Sequence, residues 1–406
     1  MTHETSTSRT SRRSALGLLG AAPIAVGLLT AGRPAHAEAS AARSIPADLR
    51  AGGKFDRFIA DRAANDLFSG VVLLAYRGRP VLRRTYGMAN KASSIPNRLD
   101  TRFDLASVTK TLTAVAVAQL AQQGKIAFHE KLGTYLQGFP AEIGQTVTVH
   151  QLLTHTSGIG RPAVGTEPPT RPEWNTIQKV WDGTAKAIRA LPLQFTPGTQ
   201  YRYSNDGFFL LGEIVAAVSG RSYYDYVRQH IFTPARMPHS DFFTKTQVTA
   251  DRTIARPYAT QPSGPRADFT TSDFFPFVGG PHRGAYATAT DLLAFARALR
   301  NGTLLGPAYA ELITTGKMIM PPSEQQGLTR QHLFYGYGFT DAIVGGRHVI
   351  GHSGSSAGAA NNLDTYPELD WTAVILSNYD TPIAPIVEME RQIITENARP
   401  SAGTAS

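Results

Sequence analysis

The sequence predicts an α+β fold in which an antiparallel sheet is flanked by helices and carries an inserted, mainly helical lobe. A helix pattern followed by a β-hairpin pattern lies near the start of the globular region, at about 45–90. Helical patterns separated by Pro-containing loops occupy about 125–280, and strand patterns resume near 348 before a last helix pattern. This order is typical of one sheet covered by helices.

The first elements form a helix and a hairpin. Amphipathic periodicity predicts a helix over 47–65, and a run of Val, Leu and Ala predicts a strand over 69–76. The segment 77–80 contains Gly78 and Pro80 and predicts a turn, after which the chain returns as a strand over 81–86. We therefore expect the hairpin to pack on the helix.

A buried helix is predicted next, over 107–123, because this run is rich in Thr, Ala, Val and Leu and Gly124 can end it. The dipole at its start favours negative charge. We assign about 45–124 and 281–398 to an α/β lobe and about 125–280 to the helical lobe, with the cleft between them. The strands and the closing helix expected in the second half are 348–352, 361–366, 371–378 and 383–397, with a turn at 367–370.

Composition excludes several classes of function. Of the 406 residues 42% are hydrophobic and 17% charged, as in globular proteins. There is no cysteine, which excludes disulfides, thiolate metal sites and a cysteine nucleophile. The net charge is +9, but no long basic run accompanies it, so nucleic-acid binding is disfavoured. The positive charge favours association with an anionic cell envelope, which is a weak expectation.

The first 37 residues resemble an export signal. Arg12 and Arg13 precede an apolar run to Ala31, and small residues around Ala37 offer a cleavage site. We predict a twin-arginine signal over 1–37, an extracytoplasmic location, and a mature hydrolase domain over 38–406. An uncleaved membrane anchor is the alternative, although the glycines and Pro23 make a poor spanning helix.

Ser107 and Lys110 carry the strongest chemical signal. Residues three apart lie on one face of a helix, so the lysine amine can take the proton of the serine hydroxyl. No other serine in the chain has a lysine three positions on. Taken alone, the pair also fits an N-capped helix with a solvated lysine, so the prediction depends on further residues.

Two later segments supply those residues. Tyr203-Ser204-Asn205 precedes an apolar helix pattern over 206–215, which places Tyr203 in the loop that enters the helix. The phenol of Tyr203 can relay a proton. His352-Ser353-Gly354 ends a strand pattern and indicates a strand edge beside the site. Considered singly, Tyr203 and His352 also fit structural roles.

Together the three segments resemble the penicillin-recognising serine hydrolases, the superfamily of class C β-lactamases, D-Ala-D-Ala carboxypeptidases, D-aminopeptidases and β-lactamase-like esterases. The resemblance spans about 50–380. Further segments that carry it are Leu152 to Gly158, Phe195 to Gly198, Asp291 to Phe295 and Gly351 to Gly354. It implies a β-lactamase/transpeptidase-like fold and acyl transfer without a metal or another cofactor.

The resemblance also implies a role for each site residue. The catalytic residues would be Ser107, Lys110, Tyr203 and Asn205, with Asn205 orienting Lys110 through its side-chain carbonyl. His352, Ser353, Gly354 and Ser355 would bind the substrate. The backbone N–H groups of Ser107 and Ser355 would form the oxyanion hole. Either Lys110 or Tyr203 can be the acylation base, since both have a pKa of about 10 in water and need burial or neighbouring charge to lower it.

The third segment departs from the β-lactamase pattern, which usually has Lys-Thr-Gly where this chain has His352-Ser353-Gly354. A histidine titrates near neutral pH, so we expect attraction for a substrate carboxylate to weaken as pH rises. The preferred function is therefore a secreted D-alanyl-D-alanine carboxypeptidase-like peptidase or amidase. A carboxylesterase and a β-lactamase are the alternatives, and the sequence does not specify the oligomeric state.

Other classes fit less well. Gly354-Ser355-Ser356-Ala357-Gly358 matches the nucleophile elbow of α/β-hydrolases, but that fold needs a histidine downstream and His352 is the last one. Metal-ligand motifs of zinc hydrolases are absent from the sequence. A non-catalytic muropeptide or penicillin sensor is the alternative of another class, disfavoured because the four catalytic residues are intact.

Five more residues are weaker site candidates. We assign His155 and Ser157 a structural role at a helix end near the cleft, and we expect Arg161, Arg202 and Arg283 to be surface arginines rather than carboxylate contacts.

Overall fold

An eight-stranded antiparallel sheet forms the centre of the protein. The computed structural model describes residues 45–161, 173–322 and 332–397, so the predicted export signal lies outside the described residues. The described strands are β1 (Gly70–Tyr76), β2 (Arg79–Tyr86), β3 (Met88–Asn90), β4 (Ile95–Pro96), β5 (Phe103–Asp104), β6 (Tyr258–Thr260), β7 (Arg266–Asp268), β8 (Tyr286–Ala287), β9 (Met318–Ile319), β10 (His332–Tyr335), β11 (Thr340–Val344), β12 (Arg347–Ser356), β13 (Ala359–Tyr366) and β14 (Trp371–Ser377).

The strand order of the large sheet is β2-β1-β14-β13-β12-β11-β10-β9. The N-terminal hairpin therefore pairs with the last strand of the chain, in a register that runs from Gly70 opposite Ser377 to Tyr76 opposite Trp371. The other six strands form three small pairs, β3 with β4, β5 with β8, and β6 with β7. Strand β12 crosses the middle of the sheet and reaches the candidate site.

Helices cover the sheet and fill the region between β5 and β9. They are α1 (Lys54–Ala64), α2 (Thr109–Gln122), α3 (Leu132–Tyr135), α4 (Ala141–Gly144), α5 (Val149–Leu153), α6 (Ile177–Arg189), α7 (Asn205–Ser219), α8 (Tyr223–Val227), α9 (Thr233–Ala235), α10 (Lys245–Ala250), α11 (Ala289–Arg300), α12 (Pro307–Thr314) and α13 (Ala384–Glu396). Short 3₁₀ turns at Ala47–Leu49, Ala106–Val108 and Phe269–Thr271 and a π turn at Arg228–Phe232 complete them. The predicted α+β fold, an antiparallel sheet flanked by helices, is confirmed.

Two predicted boundaries were wrong for local reasons. The helix expected over 47–65 is split, because Gly52 and Gly53 follow the 3₁₀ turn and α1 begins only at Lys54. The turn expected over 77–80 is shorter, and Pro80 lies inside β2. Proline is tolerated there because β2 is an edge strand, which does not need every backbone N–H for pairing.

Helix α2 is the buried helix of the core. All of its residues except Gln119 and Gln122 are buried, so it presents apolar groups in every direction rather than along one stripe. Its buried threonines are satisfied by hydrogen bonds; the Thr113 hydroxyl, for example, contacts the Pro281 carbonyl oxygen at 2.5 Å and the Tyr223 hydroxyl at 2.7 Å. These bonds attach the segment near Pro281 to the start of α2.

A buried ionic cluster joins the sheet to the last helix. Arg391 of α13 donates two hydrogen bonds, of 2.7 and 2.8 Å, to the carboxylate of Asp364 on β13. Beside it, the Tyr366 hydroxyl donates to Glu390 at 2.7 Å, and burial raises the pKa of Glu390 well above its ordinary value.

No helix within the described residues is long and apolar enough to cross a membrane.

Candidate active site

Ser107 lies in the 3₁₀ turn that leads into α2, and it is partly exposed where its neighbours are buried. The preceding residue, Ala106, has φ of 46°, a left-handed conformation that is unusual for a residue with a side chain. The Asp104 carboxylate holds this turn by accepting a hydrogen bond from the Ala106 N–H at 2.8 Å. Such strain is frequent at functional sites, where the surrounding structure maintains it.

Lys110 is fully buried and its amine meets three oxygen atoms. Nζ lies 3.1 Å from Ser107 Oγ, 2.8 Å from Asn205 Oδ1 and 2.7 Å from the His282 carbonyl oxygen. Nζ also lies 4.7 Å from the ring centroid of Tyr203. The predicted serine, lysine and asparagine are therefore within direct hydrogen-bond contact, and the tyrosine ring covers the amine.

Asn205 is the first residue of α7, and the sequence around it explains its position. Ser204 caps the helix by accepting a hydrogen bond from the Gly207 N–H at 2.9 Å. The Ser204 hydroxyl donates in turn to the Ile159 carbonyl at 2.7 Å. The cap thus fixes the first turn of α7 against the 155–160 segment, with Asn205 directed toward Lys110.

His155 supports the loop that carries Tyr203. Its Nδ1 accepts a hydrogen bond from the Ser204 N–H at 3.0 Å, and its ring centroid lies 4.3 Å from that of Tyr203. Burial and the charge of Lys110 hold the pKa of His155 well below 6.5, so the ring is neutral. His155, for which we expected a structural role, packs directly under the tyrosine. Ser157 Oγ accepts a local hydrogen bond of 3.2 Å from the Ile159 N–H.

The turn formed by Gly279 to Gly284 supplies the third acceptor for Lys110, a contribution that sequence reasoning missed. Gly280 and Arg283 exchange backbone hydrogen bonds of 2.7 and 3.2 Å, which leaves the His282 carbonyl facing Lys110. A backbone carbonyl has no residue-type signature. The clustered glycines were the only available signal.

Strand β12 forms the wall next to Ser107. Pairing with β11 ends at Gly351, whereas pairing with β13 continues to Ser356. A side-chain carbon placed on Gly354 would lie 2.5 Å from the Leu105 carbonyl oxygen and 2.9 Å from Ser107 N. Only glycine fits such a close approach. The close approach places the next residue, the exposed Ser355, beside the turn that carries Ser107.

His352 lies on the same strand but is not the titrating cation that the sequence led us to expect. The ring is buried, its Nδ1–H donates to the Ser353 carbonyl, and its Nε2 accepts from the Tyr335 hydroxyl at 3.0 Å. Burial, with a smaller effect of Lys110, lowers its pKa from 6.5 to about 3. The expectation that the ring titrates near neutral pH was wrong because burial, which disfavours the charged form, is not visible in the sequence.

The remaining candidates lie in four places. Ser353 is partly exposed on β12, and Arg202 is exposed on the loop before Tyr203. Arg161 and Arg283 are both partly buried beside Asn205 and His282, contrary to the surface positions that we expected. Ser356 lies in the β12–β13 hairpin and not between a strand and a helix, so the α/β-hydrolase elbow does not form.

No group of three His, Asp or Glu side chains within residues 45–161, 173–322 and 332–397 is arranged to hold a metal ion.

Comparisons with known proteins agree with this geometry. The family model described as Beta-lactamase matches residues 55–396. PbpX of Bacillus subtilis (strain 168) is 30% identical over 252 residues, which are 61% of this chain and 59% of PbpX. This chain therefore spans less than two thirds of that relative's length.

Solved structures show the same fold. A penicillin-binding protein from Bacillus halodurans is 27% identical with a TM-score of 0.71, covering 82% of this chain and 98% of its own. A D-stereospecific amidohydrolase from Streptomyces sp. is 25% identical with a TM-score of 0.62, covering 79% and 92%. The matched family consists generally of serine hydrolases that act through an acyl-enzyme, and its model spans the sheet, α2 and α7. This chain belongs to the beta-lactamase family.

Proposed function

We propose that this protein cleaves an amide or peptide bond next to a D-amino acid through an acyl-enzyme on Ser107, as a D-alanyl-D-alanine carboxypeptidase-like peptidase or amidase. The observation that carries the proposal is the buried amine of Lys110, 3.1 Å from the Ser107 hydroxyl and held by Asn205 and His282. This arrangement supports activation of a serine by a positioned base.

The hydrogen-bond pattern favours Lys110 as the acylation base. Asn205 Oδ1 and the His282 carbonyl oxygen can only accept hydrogen bonds. An uncharged lysine amine has two N–H groups and one lone pair. With the two N–H groups donated to these oxygens, the lone pair is left for the hydroxyl proton of Ser107. The reaction then needs the uncharged form of Lys110.

The remaining steps use the other groups that the family resemblance assigns to the site. Ser107 Oγ attacks the carbonyl carbon, and the oxyanion accepts hydrogen bonds from the N–H groups of Ser107 and Ser355. Losing one such donor typically costs about 3 kcal/mol of transition-state stabilisation. The leaving amine takes a proton from Lys110, with Tyr203 as the relay over the amine, and water then releases the acyl group from Ser107 by the reverse sequence.

Two observations support a D-amino acid substrate over a β-lactam. The Streptomyces protein with which this chain shares 25% identity is named a D-stereospecific amidohydrolase. The β12 wall has the neutral His352 where the β-lactamase pattern has a lysine, so it offers a β-lactam carboxylate no positive side chain at that position. A D-amino acid amide has no such carboxylate and therefore fits this wall better than a β-lactam does. A carboxylesterase is the second candidate because the same acylation applies to esters.

Export is part of the proposal. The twin arginines and the small-residue cleavage site support secretion of the domain over 38–406. Removal of residues 1–37 takes away four arginines and Glu4, so the net charge falls from +9 to +6, which still favours contact with an anionic envelope. N-terminal sequencing of the protein from a culture supernatant tests this. A mature chain that begins after residue 37 is expected, and recovery only from the cytoplasm would contradict it.

A substrate panel tests the proposed function. The mature protein is assayed on D-amino acid amides, a D-Ala-D-Ala peptide, p-nitrophenyl esters and nitrocefin, beside Ser107→Ala and the matched control Ser356→Ala. We expect hydrolysis of D-amides or the D-Ala-D-Ala peptide, a loss of at least about 10³-fold in Ser107→Ala, and retention in Ser356→Ala. Binding of penicillin without turnover of any substrate would instead favour a sensor.

A further inference from the structure

An apolar cavity lies between helices α11 and α12 and the face of the large sheet against which α11 packs. Its volume is about 220 Å³. For comparison, an apolar cavity of about 150 Å³ is large enough to bind benzene. Ser107, Lys110, Tyr203 and Asn205 do not line the cavity, so it is separate from the candidate active site.

Buried apolar side chains form the walls of this cavity. Phe295 and Leu299 belong to α11, Ile350 and Leu363 belong to β12 and β13, and Phe339 comes just before β11. Side chains in native interiors interdigitate and leave few voids larger than a water molecule. An apolar space of this size therefore suits an apolar group from another molecule.

The mature chain has little with which to fill the space. Ala296 of α11 and Ala310 of α12 line the cavity, and each has a single side-chain carbon. After residue 37, the segments outside the described residues contain only two large apolar residues, Val164 and Leu328. We therefore look for the occupant outside the chain.

The mouth of the cavity is charged. Arg297 and Arg300 of α11 and Glu311 of α12 line it and are exposed. Arg300 pairs with Asp370 at 2.6 Å, and Arg77 lies 3.7 Å from the same carboxylate. Among the described residues, Arg297 makes no ion pair within 4.0 Å. These groups together carry one net positive charge, and Arg297 is the cation that is left for a ligand.

The stem of Arg297 forms part of the mouth. A side-chain carbon placed on Gly78 would lie 3.3 Å from Cδ of Arg297, so the stem lies against the turn between β1 and β2. Gly78 itself lines the cavity. Arginine commonly lays its stem on apolar surface and keeps the guanidinium in water. The cavity thus has an apolar interior with a guanidinium group at its entrance.

We infer that this cavity binds a free carboxylate with one unbranched apolar tail of about seven carbons, with the carboxylate at Arg297. A group of the size of a water molecule occupies about 30 Å³, so about 220 Å³ holds about seven methylene groups. Guanidinium groups bind carboxylates through charge-assisted hydrogen bonds. The two long tails of a membrane phospholipid exceed this volume. The inference does not depend on the proposed function.

The length of the tail tests the size of the cavity. The mature protein is titrated calorimetrically with hexanoate, octanoate, decanoate and dodecanoate. Each buried methylene strengthens binding about 4-fold, so octanoate should bind about 10-fold or more tightly than hexanoate. Decanoate and dodecanoate should bind within about 3-fold of octanoate, because their additional carbons stay in water. An affinity that keeps rising to dodecanoate would indicate non-specific apolar binding and overturn the inference.

Substitutions that fill the cavity test its position. Ala296→Leu and Ala310→Leu each add three carbons from a different helix, and each should weaken octanoate binding about 10-fold or more. The control is Ala294→Leu, because Ala294 is a half-buried residue of α11 that does not line the cavity. Octanoate binding that is unchanged in both cavity variants would overturn the site.

The head group tests the role of Arg297. Octanoate should bind at least about 3-fold more tightly than octanol or octylamine. Arg297→Gln should remove this preference without changing the affinity for octanol, and the exposed control Arg252→Gln should keep it. Equal binding of octanoate and octanol by the wild type would contradict a carboxylate ligand.

Two further measurements separate this site from other sources of binding. Octanoate should bind with unchanged affinity after Ser107 has been labelled with a fluorophosphonate, whereas loss of binding would place octanoate in the catalytic site and overturn the inference. The protein should also not sediment with phosphatidylglycerol vesicles in a way that Ala296→Leu abolishes. Such sedimentation would identify a membrane lipid as the occupant and overturn the free carboxylate. None of these readings needs turnover, so failure of the proposed function would leave them interpretable.

Discussion

Acid should destabilise this protein through His352. In the folded state Nδ1–H donates to the Ser353 carbonyl and Nε2 accepts from the Tyr335 hydroxyl, so a second proton on the ring would remove the acceptor that the tyrosine uses. The proton would also add charge in a buried position near Lys110. The folded protein therefore keeps His352 neutral at pH values where the unfolded chain protonates it.

The size and sign of the effect follow from the two pKa values. The pKa of His352 is lowered from 6.5 to about 3, so its contribution to stability is present above pH 6.5 and is lost as pH falls toward 3. Each pH unit in this window costs about 1.4 kcal/mol per proton. We expect a loss of about 2 kcal/mol at pH 5 from His352 alone. His155 and His282, whose pKa values are also lowered, add to the loss in the wild type.

Urea unfolding at pH 7.5, 6.0 and 5.0 measures this contribution. His352→Gln should lose about 2 kcal/mol less free energy of unfolding between pH 7.5 and 5.0 than the wild type, whatever its stability at pH 7.5. The control is His129→Gln, because the side chain of His129 is 85% exposed, and it should behave as the wild type does. The same loss on acidification in His352→Gln and in the wild type would refute the reasoning.

Substitutions of Asn205, Gly354 and Arg391 test other parts of the structure. Asn205→Ala removes the oxygen that lies 2.8 Å from the Lys110 amine and should lower kcat/KM about 10²-fold. Asn205→Asp adds a negative charge that favours the charged form of Lys110, so it should move the pH-rate profile to higher pH. Gly354→Ala places a carbon 2.5 Å from a carbonyl oxygen and should lower both activity and the melting temperature; unchanged values would contradict the close approach. Arg391→Met leaves a buried carboxylate unpaired and should cost about 3–5 kcal/mol in urea unfolding. The exposed pair of Arg300 gives the comparison, since Arg300→Met should cost less than about 1 kcal/mol.

The catalytic pair could be predicted from sequence because its signal is local. Ser107 and Lys110 belong to one helical turn, so spacing alone places them on the same face. Asn205 follows a serine cap and precedes a strongly apolar helix, which indicates a helix start. Local sequence does not show that Asn205 meets Lys110, which lies 95 residues earlier in the chain; the prediction of that contact depended on the family resemblance.

What could not be predicted depends on burial and on the backbone. The lowered pKa of His352 arises from loss of solvent and, to a smaller extent, from the charge of Lys110, neither of which is visible in the segment around it. Arg161 and Arg283 look like ordinary surface arginines in sequence, and only the packing of the Gly279–Gly284 turn against α7 buries them next to Asn205. The third acceptor of Lys110 is a carbonyl that any residue could provide.

Covalent labelling tests the central claim most directly, namely that the buried amine activates one serine. The mature protein is incubated with a fluorophosphonate, digested, and examined by mass spectrometry. We expect a single adduct on Ser107, lost in Ser107→Ala and slowed in Asn205→Ala. An adduct on another serine, such as Ser356, or hydrolytic activity that survives without any adduct on Ser107, would contradict it.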